Sequence, residues 1–107
     1  YQCDWSSDVC SSDLIAPTGN IDPQRRYPSM FEPIHGSAFD IMGRGLANPI
    51  GTFWSVVMLL EHLGETASAR KLMQAIETVT SNPALHTADL GGTAKMAQVT
   101  QAVCELL

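Results

Sequence analysis

Met30-Phe31-Glu32-Pro33-Ile34-His35-Gly36-Ser37-Ala38-Phe39-Asp40-Ile41, continued by Gly43-Arg44-Gly45-Leu46-Ala47-Asn48-Pro49, begins as a short apolar strand that Pro33 ends. A polar loop carrying Gly36, Gly43 and Gly45 follows, and Asn48-Pro49 then reads as a helix start. Glycines let backbone amides approach an anionic ligand closely, and the helix beyond them adds the positive end of its dipole. In such a loop Asp40 is suited to accept the hydroxyls of a ribose, the acidic-residue role known from dinucleotide sites. Asn48 offers a donor and an acceptor for an adenine edge. The residues alone also allow a bland alternative, in which the loop merely turns the chain, Asn48 is an N-cap and His35 is a hydrogen-bonded structural histidine.

The stretch Glu32-Pro33-Ile34-His35-Gly36-Ser37-Ala38-Phe39-Asp40-Ile41, with Gly45-Leu46-Ala47-Asn48-Pro49 shortly after it, resembles the cofactor loop of the β-decarboxylating dehydrogenases. That family includes the isopropylmalate, isocitrate, tartrate and D-malate dehydrogenases. The resemblance implies that His35, Gly36, Ser37 and Ala38 wrap the cofactor, that Asp40 selects NAD, and that Asn48 meets adenine. Its NADP-using relatives carry basic or aromatic residues near the position of Asp40, whereas this chain keeps a carboxylate that would repel a 2′-phosphate. The implied cofactor is NAD.

Composition sets the outer bounds. The 107 residues suffice for one small domain and are too few for two, so a single compact unit or a piece of a larger one is expected. A net charge of -5 and only six Lys and Arg argue against a nucleic-acid surface. No apolar run is long enough to span a bilayer, and the N-terminus lacks the pattern of a signal peptide, so no membrane partner and a cytoplasmic location are expected. Cys3, Cys10 and Cys104 lack the spacing of a zinc motif.

Residues 1–14 are rich in Ser and Asp and have no helical or strand period. Ser7-Asp8-Val9-Cys10-Ser11-Ser12-Asp13-Leu14 resembles the translation of a sequencing-library adapter, and the segment is expected to be non-native and disordered. Asp8 and Asp13 do not make a metal pair. Five residues apart, they would stand roughly 140° from each other on a helix, whereas the resembled family places its ligating aspartates on one helical face.

From Ile15 the composition becomes that of a folded protein. Ala16-Pro17-Thr18-Gly19-Asn20 and Asp22-Pro23 are dense turn signals, so residues 15–27 are expected to be a connecting loop. Residues 27–33 form the one expected strand, held to an edge by Pro28 and Pro33. Asn48 as N-cap and Pro49 at the first helical position open a helix that is apolar almost all round, with Trp54 in its core, and Gly64 stops it. Thr66 is expected to cap a second helix whose Ala69, Leu72, Met73, Ile76 and Val79 make one apolar stripe, ending at Ser81-Asn82-Pro83. Thr93 is expected to cap the last, with Met96, Val99, Val103 and Leu106 on one face and Cys104 buried and inert. Glu32, His62 and His86 read as structural or solvent-facing groups.

The segment Thr87-Ala88-Asp89-Leu90-Gly91-Gly92 before the last helix also resembles the end of the same dehydrogenases. The expected fold class is α/β, a fragment of the isopropylmalate dehydrogenase-like fold that is mostly α-helical in this portion with one short strand. Residues 15–107 are then the C-terminal part of the enzyme, carrying the NAD adenosine loop and three helices. Met58-Leu59-Leu60-Glu61-His62-Leu63-Gly64-Glu65 and Asp89-Leu90-Gly91-Gly92-Thr93 look most like the tartrate or D-malate branch, with isopropylmalate dehydrogenase as the alternative.

The resemblance implies oxidation and decarboxylation of a 2-hydroxy acid substrate by a homodimer that uses NAD and Mg²⁺ or Mn²⁺. The family's catalytic Lys and Tyr, substrate arginines and metal aspartates all lie upstream of the matched part. No catalytic or metal residue is therefore assigned in this chain, which is expected to be inactive alone and marginally folded. A non-catalytic helical interaction module is the alternative from another class.

Overall fold

A computed structural model describes residues 15–107. The expected disordered segment 1–14, with Cys3, Asp8, Cys10 and Asp13, lies outside the described residues. Two short strands, β1 (Pro17–Asn20) and β2 (Met30–Pro33), precede three helices, α1 (Ile50–His62), α2 (Thr66–Thr80) and α3 (Met96–Glu105). Single 3-10 turns stand at Phe39–Ile41, Pro83–Leu85 and Ala88–Leu90. The mostly helical α/β character expected from the sequence is what the fold shows.

The strands differ from expectation in number. Pro17–Asn20, expected as loop, pairs antiparallel with β2 in the register Pro17 to Pro33 and Asn20 to Met30. Turn propensity is overridden here by packing, because a strand is stabilised by what it lies against as much as by its own residues. The Thr18 hydroxyl donates to the Glu32 carbonyl at 2.7 Å, and Ile34 N–H extends the ladder to the Ala16 carbonyl at 3.0 Å. Gly19 sits where a Cβ would stand 3.1 Å from the Phe31 ring and 3.2 Å from Met58 Cε, so its small size lets the hairpin close onto α1.

The hairpin loop is organised by Asp22. Its carboxylate accepts from the backbone N–H of Gln24 at 3.1 Å and of Arg26 and Tyr27 at 2.9 Å each. These donors, Tyr27 foremost, hold the carboxyl below its usual range by stabilising the charged form. The Arg25 guanidinium then reaches the carbonyl of His62 and ties the loop to the end of α1. The His62 ring packs against Phe31 with centroids 5.5 Å apart, a structural use of that histidine.

α1 starts and stops as its residues dictate. Pro49, expected at the first helical position, takes the cap position instead of Asn48, because Phe53 N–H bonds the Pro49 carbonyl at 3.1 Å; Asn48 Oδ1 still accepts Ile50 N–H at 3.0 Å just outside the helix. At the other end Glu65 N–H bonds the Leu60 carbonyl at 2.9 Å and Gly64 N–H bonds Glu61 at 3.1 Å, a Schellman closure that needs Gly64 at φ 83. The helix is not buried all round, for Trp54 is 36% exposed and Val56 37%. Trp54 is thus half in solvent rather than a core residue.

The cap positions of the other helices also shift. Glu65, not Thr66, precedes α2, because the Schellman closure already turns the chain there and Ala69 N–H bonds the Glu65 carbonyl at 3.0 Å. Thr93 does not cap α3. Residues 93–95 are instead held outside the helix by Ala94 N–H to the His86 carbonyl and Met96 N–H to the Gly45 carbonyl, 2.9 Å each. The helix begins at Met96, with Gln98 Oε1 accepting Lys95 N–H at 2.7 Å.

Between α1, α2 and α3 lies the core: Val57, Leu72, Ile76, Val79, Val99 and Val103 are all buried. Cys104 is exposed, contrary to expectation. One residue beyond the fully buried Val103, it is turned away by the roughly 100° that each helical residue adds.

Candidate functional site

Beyond Pro33 the chain leaves the sheet and closes on itself through successive tight turns. The His35 ring sits against the next peptide, Nδ1 donating to the Gly36 carbonyl at 2.9 Å. Ala38 takes the left-handed conformation, φ 45 and ψ 55, which reverses the chain before the 3-10 turn at Phe39–Ile41. A non-glycine residue in this region costs roughly 1–2 kcal/mol, so surrounding bonds must hold it there. Ile41 N–H to the Ala38 carbonyl at 3.0 Å and Arg44 N–H to Ile41 at 3.1 Å provide that hold.

These turns frame an open cleft of about 220 Å³. It is lined by His35–Ala38, by Ile41–Gly43, by Gly45–Ala47, and by Met96 from the start of α3. The walls are mostly apolar, with Ile41, Met42, Leu46 and Met96 among them. A Cβ placed on Gly36, Gly43 or Gly45 would meet nothing within 4 Å, so each glycine leaves space toward solvent or a ligand rather than toward the chain's own packing.

Of the six residues expected from the sequence, His35, Gly36, Ser37 and Ala38 line this one cleft. Asp40 lies on the exposed 3-10 turn whose next residue, Ile41, lines it, but Asp40 itself is not in the wall. Asn48 follows Ala47, the last lining residue of the loop, and is 3% exposed. Its amide is engaged within the chain, Oδ1 by Ile50 N–H and Nδ2 by Asp89 Oδ2 at 3.1 Å.

Asp89 is the residue that sequence reasoning missed. Its carboxylate also accepts the hydroxyl of Thr87, which is 1% exposed, so one side chain joins the start of α1 to the turn before α3. Asn48 and Asp89 are separated by 41 residues, and neither periodicity nor motif spacing connects them. The turn that carries Asp89 is close-packed. A Cβ on Gly92 would lie 2.0 Å from the His86 carbonyl oxygen, so no larger residue fits. His86 is structural, its Nε2 donating to the Thr80 carbonyl at 2.7 Å. Every buried side-chain polar atom among the described residues has a partner.

Among the described residues no three His, Cys, Asp or Glu side chains gather as a metal site, and no helix is long and apolar enough to cross a membrane. An apolar slot with glycine-lined, open backbone on its edge and a carboxylate on the adjoining turn has the chemistry to hold a flat heterocycle with its sugar.

The chain resembles known proteins along nearly its whole length. The profile of the isocitrate/isopropylmalate dehydrogenase family matches residues 1–106. A probable tartrate dehydrogenase/decarboxylase from Agrobacterium vitis is 62% identical over 104 residues, which is 97% of this chain and 29% of that protein. The D-malate dehydrogenase (decarboxylating) of Escherichia coli K12 is 41% identical, over 92% of this chain and 29% of its own length. Among solved structures, the apo β-decarboxylating dehydrogenase of Thermococcus kodakarensis superposes with a TM-score of 0.78 at 38% identity, covering 90% of this chain and 27% of that one. The isocitrate dehydrogenase of Methylococcus capsulatus superposes with a TM-score of 0.74 at 34% identity, over 82% and 26%. The chain thus spans under a third of the length of the curated relatives it matches. It belongs to the isocitrate/isopropylmalate dehydrogenase family.

Proposed function

We propose that this chain is the adenosine-binding portion of an NAD-dependent dehydrogenase that oxidises and decarboxylates a 2-hydroxy acid of the tartrate or D-malate type. The observation that carries the proposal is the cleft formed by His35–Ala38, with Asp40 on the adjoining turn. Its walls suit an adenine ring, which gains by leaving water for an apolar slot. The open backbone at Gly36, Gly43 and Gly45 leaves room for the polar parts of the ligand to come near the chain. Asp40, exposed on that turn, can accept ribose hydroxyls and repel a 2′-phosphate.

When bound, NAD supplies the hydride acceptor for oxidation of the 2-hydroxy acid. The work of this chain's residues is binding and orientation: the cleft fixes the adenosine half so that the nicotinamide is presented to substrate held by other parts of the enzyme. Asn48 contributes by holding the loop's end against α1 and Asp89. The divalent metal that assists decarboxylation is assigned to groups outside this chain, as are the acid and base. The tartrate or D-malate choice is supported by the names of the relatives at 62% and 41% identity. The assembly is proposed to be a homodimer, which light scattering on the intact enzyme tests.

The test is an oxidation assay with the intact protein, Mg²⁺ or Mn²⁺, and NAD. Reduced cofactor should form with D-malate or tartrate and should form much more slowly when NADP replaces NAD. Turnover of 3-isopropylmalate alone moves the protein to the isopropylmalate branch. No turnover with any of these acids, in protein that is folded and metal-loaded, refutes the proposal.

A further inference from the structure

We propose that Met96, on α3, is a ligand-contact residue of the nucleotide cleft and that the C-terminal segment thereby completes the adenosine site; the inference rests on the NAD reading above. The first ground is the apolar stripe of α3. Met96, Val99 and Val103 follow one another at intervals of three and four, the spacing of one helical face. Val99 and Val103 are 1% and 0% exposed, yet Met96 on the same face is 41% exposed. The stripe therefore runs out of the core at its first residue, and the space it runs into is the cleft that Met96 lines.

The second ground is the rigidity with which Met96 is held there. Its N–H donates to the Gly45 carbonyl at 2.9 Å, and Gly45 itself lines the cleft. Two residues earlier, Ala94 is 5% exposed and bonds the His86 carbonyl at 2.9 Å. Lys95 N–H is taken by Gln98 Oε1 at 2.7 Å. The backbone at Met96 is thus fixed from both sides before any ligand arrives, and a preorganised wall loses little entropy on binding. The side chain is unbranched and polarisable, which suits contact with the face or edge of an aromatic heterocycle. Residues 35–47 and residue 96 are far apart in sequence, so the site exists only when α3 is seated.

The experiment compares Met96→Ala and Met96→Leu with the wild type in the intact enzyme, titrating NAD and, separately, AMP by calorimetry. Met96→Ala should weaken NAD roughly five- to tenfold, which corresponds to about 1–1.4 kcal/mol. AMP should weaken by the same factor, because the contact lies on the adenosine half. Met96→Leu should stay within about twofold, keeping the apolar volume. The larger part of the effect should appear in KM for NAD rather than in kcat. Unchanged affinities in Met96→Ala overturn the inference, and so does a lowered thermal midpoint with unchanged affinities, which would mean that protein rather than ligand covers Met96. Failure of the wild type itself to bind NAD or AMP removes the underlying reading and the inference with it, whereas tight wild-type binding unaffected by Met96→Ala removes the inference alone.

Discussion

Replacing Asp89 by Ala should loosen the chain at two places that are distant in sequence. The carboxylate accepts Asn48 Nδ2 at 3.1 Å and the Thr87 hydroxyl, and these donors are 3% and 1% exposed. After the substitution both donors remain where water scarcely reaches. A buried donor without its acceptor costs about 1–3 kcal/mol, and a bond to a charged acceptor is at the upper end. Asp89 is itself only half-buried, so water can enter from its side and recover part of the loss. Together these place the cost at about 2–4 kcal/mol, a large share of the margin of a folded domain. Urea unfolding of the intact protein measures it. Because Asn48 shares the bond, Asn48→Ala and Asp89→Ala should be strongly non-additive in a double-mutant cycle. Asp89→Ala should also weaken NAD binding, since Asn48 follows the last loop residue of the cleft. A loss under about 0.5 kcal/mol together with full additivity would show that the network is not what joins the loop to the turn before α3.

Asp40→Lys should lower NAD affinity about tenfold or more and raise that for NADP, read by titrating both cofactors; stronger NAD binding would contradict the role assigned to Asp40. Acid sensitivity should reside partly in Asp22, whose folded carboxyl titrates below its ordinary value of 3.8 because Tyr27, Gln24 and Arg26 donate to its charged form. A depressed folded pKa adds stability that is present above the unfolded value and lost as pH falls through the folded one, so Asp22→Asn should flatten the unfolding curve below about pH 4. An unchanged acid limb would deny Asp22 that part. Gly92→Ala should cost about 1–3 kcal/mol or more, because a Cβ there meets the His86 carbonyl oxygen at 2.0 Å and the backbone must move. A thermal midpoint equal to wild type would show that the turn at Gly92 is not close-packed.

What the sequence determined by itself were the features that local chemistry dictates. Asn48 and Pro49 announced the start of α1, Gly64 its end, and the stripe from Ala69 to Val79 the buried face of α2, because capping bonds, positive φ and helical period are all set within a few residues. That His35, Gly36, Ser37 and Ala38 belong to one turn-rich loop was legible as well, and they do line one cleft. Only the tertiary structure decided what depends on partners far along the chain. Pro17–Asn20 became a strand because β2 and α1 lie beside it, and residues 93–95 stayed out of α3 because Gly45 and His86 take the backbone bonds on either side. Likewise Asn48 met Asp89, and Met96 joined the cleft by bonding Gly45, through contacts between residues far apart in sequence that leave no trace in local spacing. Short-range preferences are weak, and a few long-range hydrogen bonds and buried apolar side chains outweigh them wherever the folded chain brings such partners together.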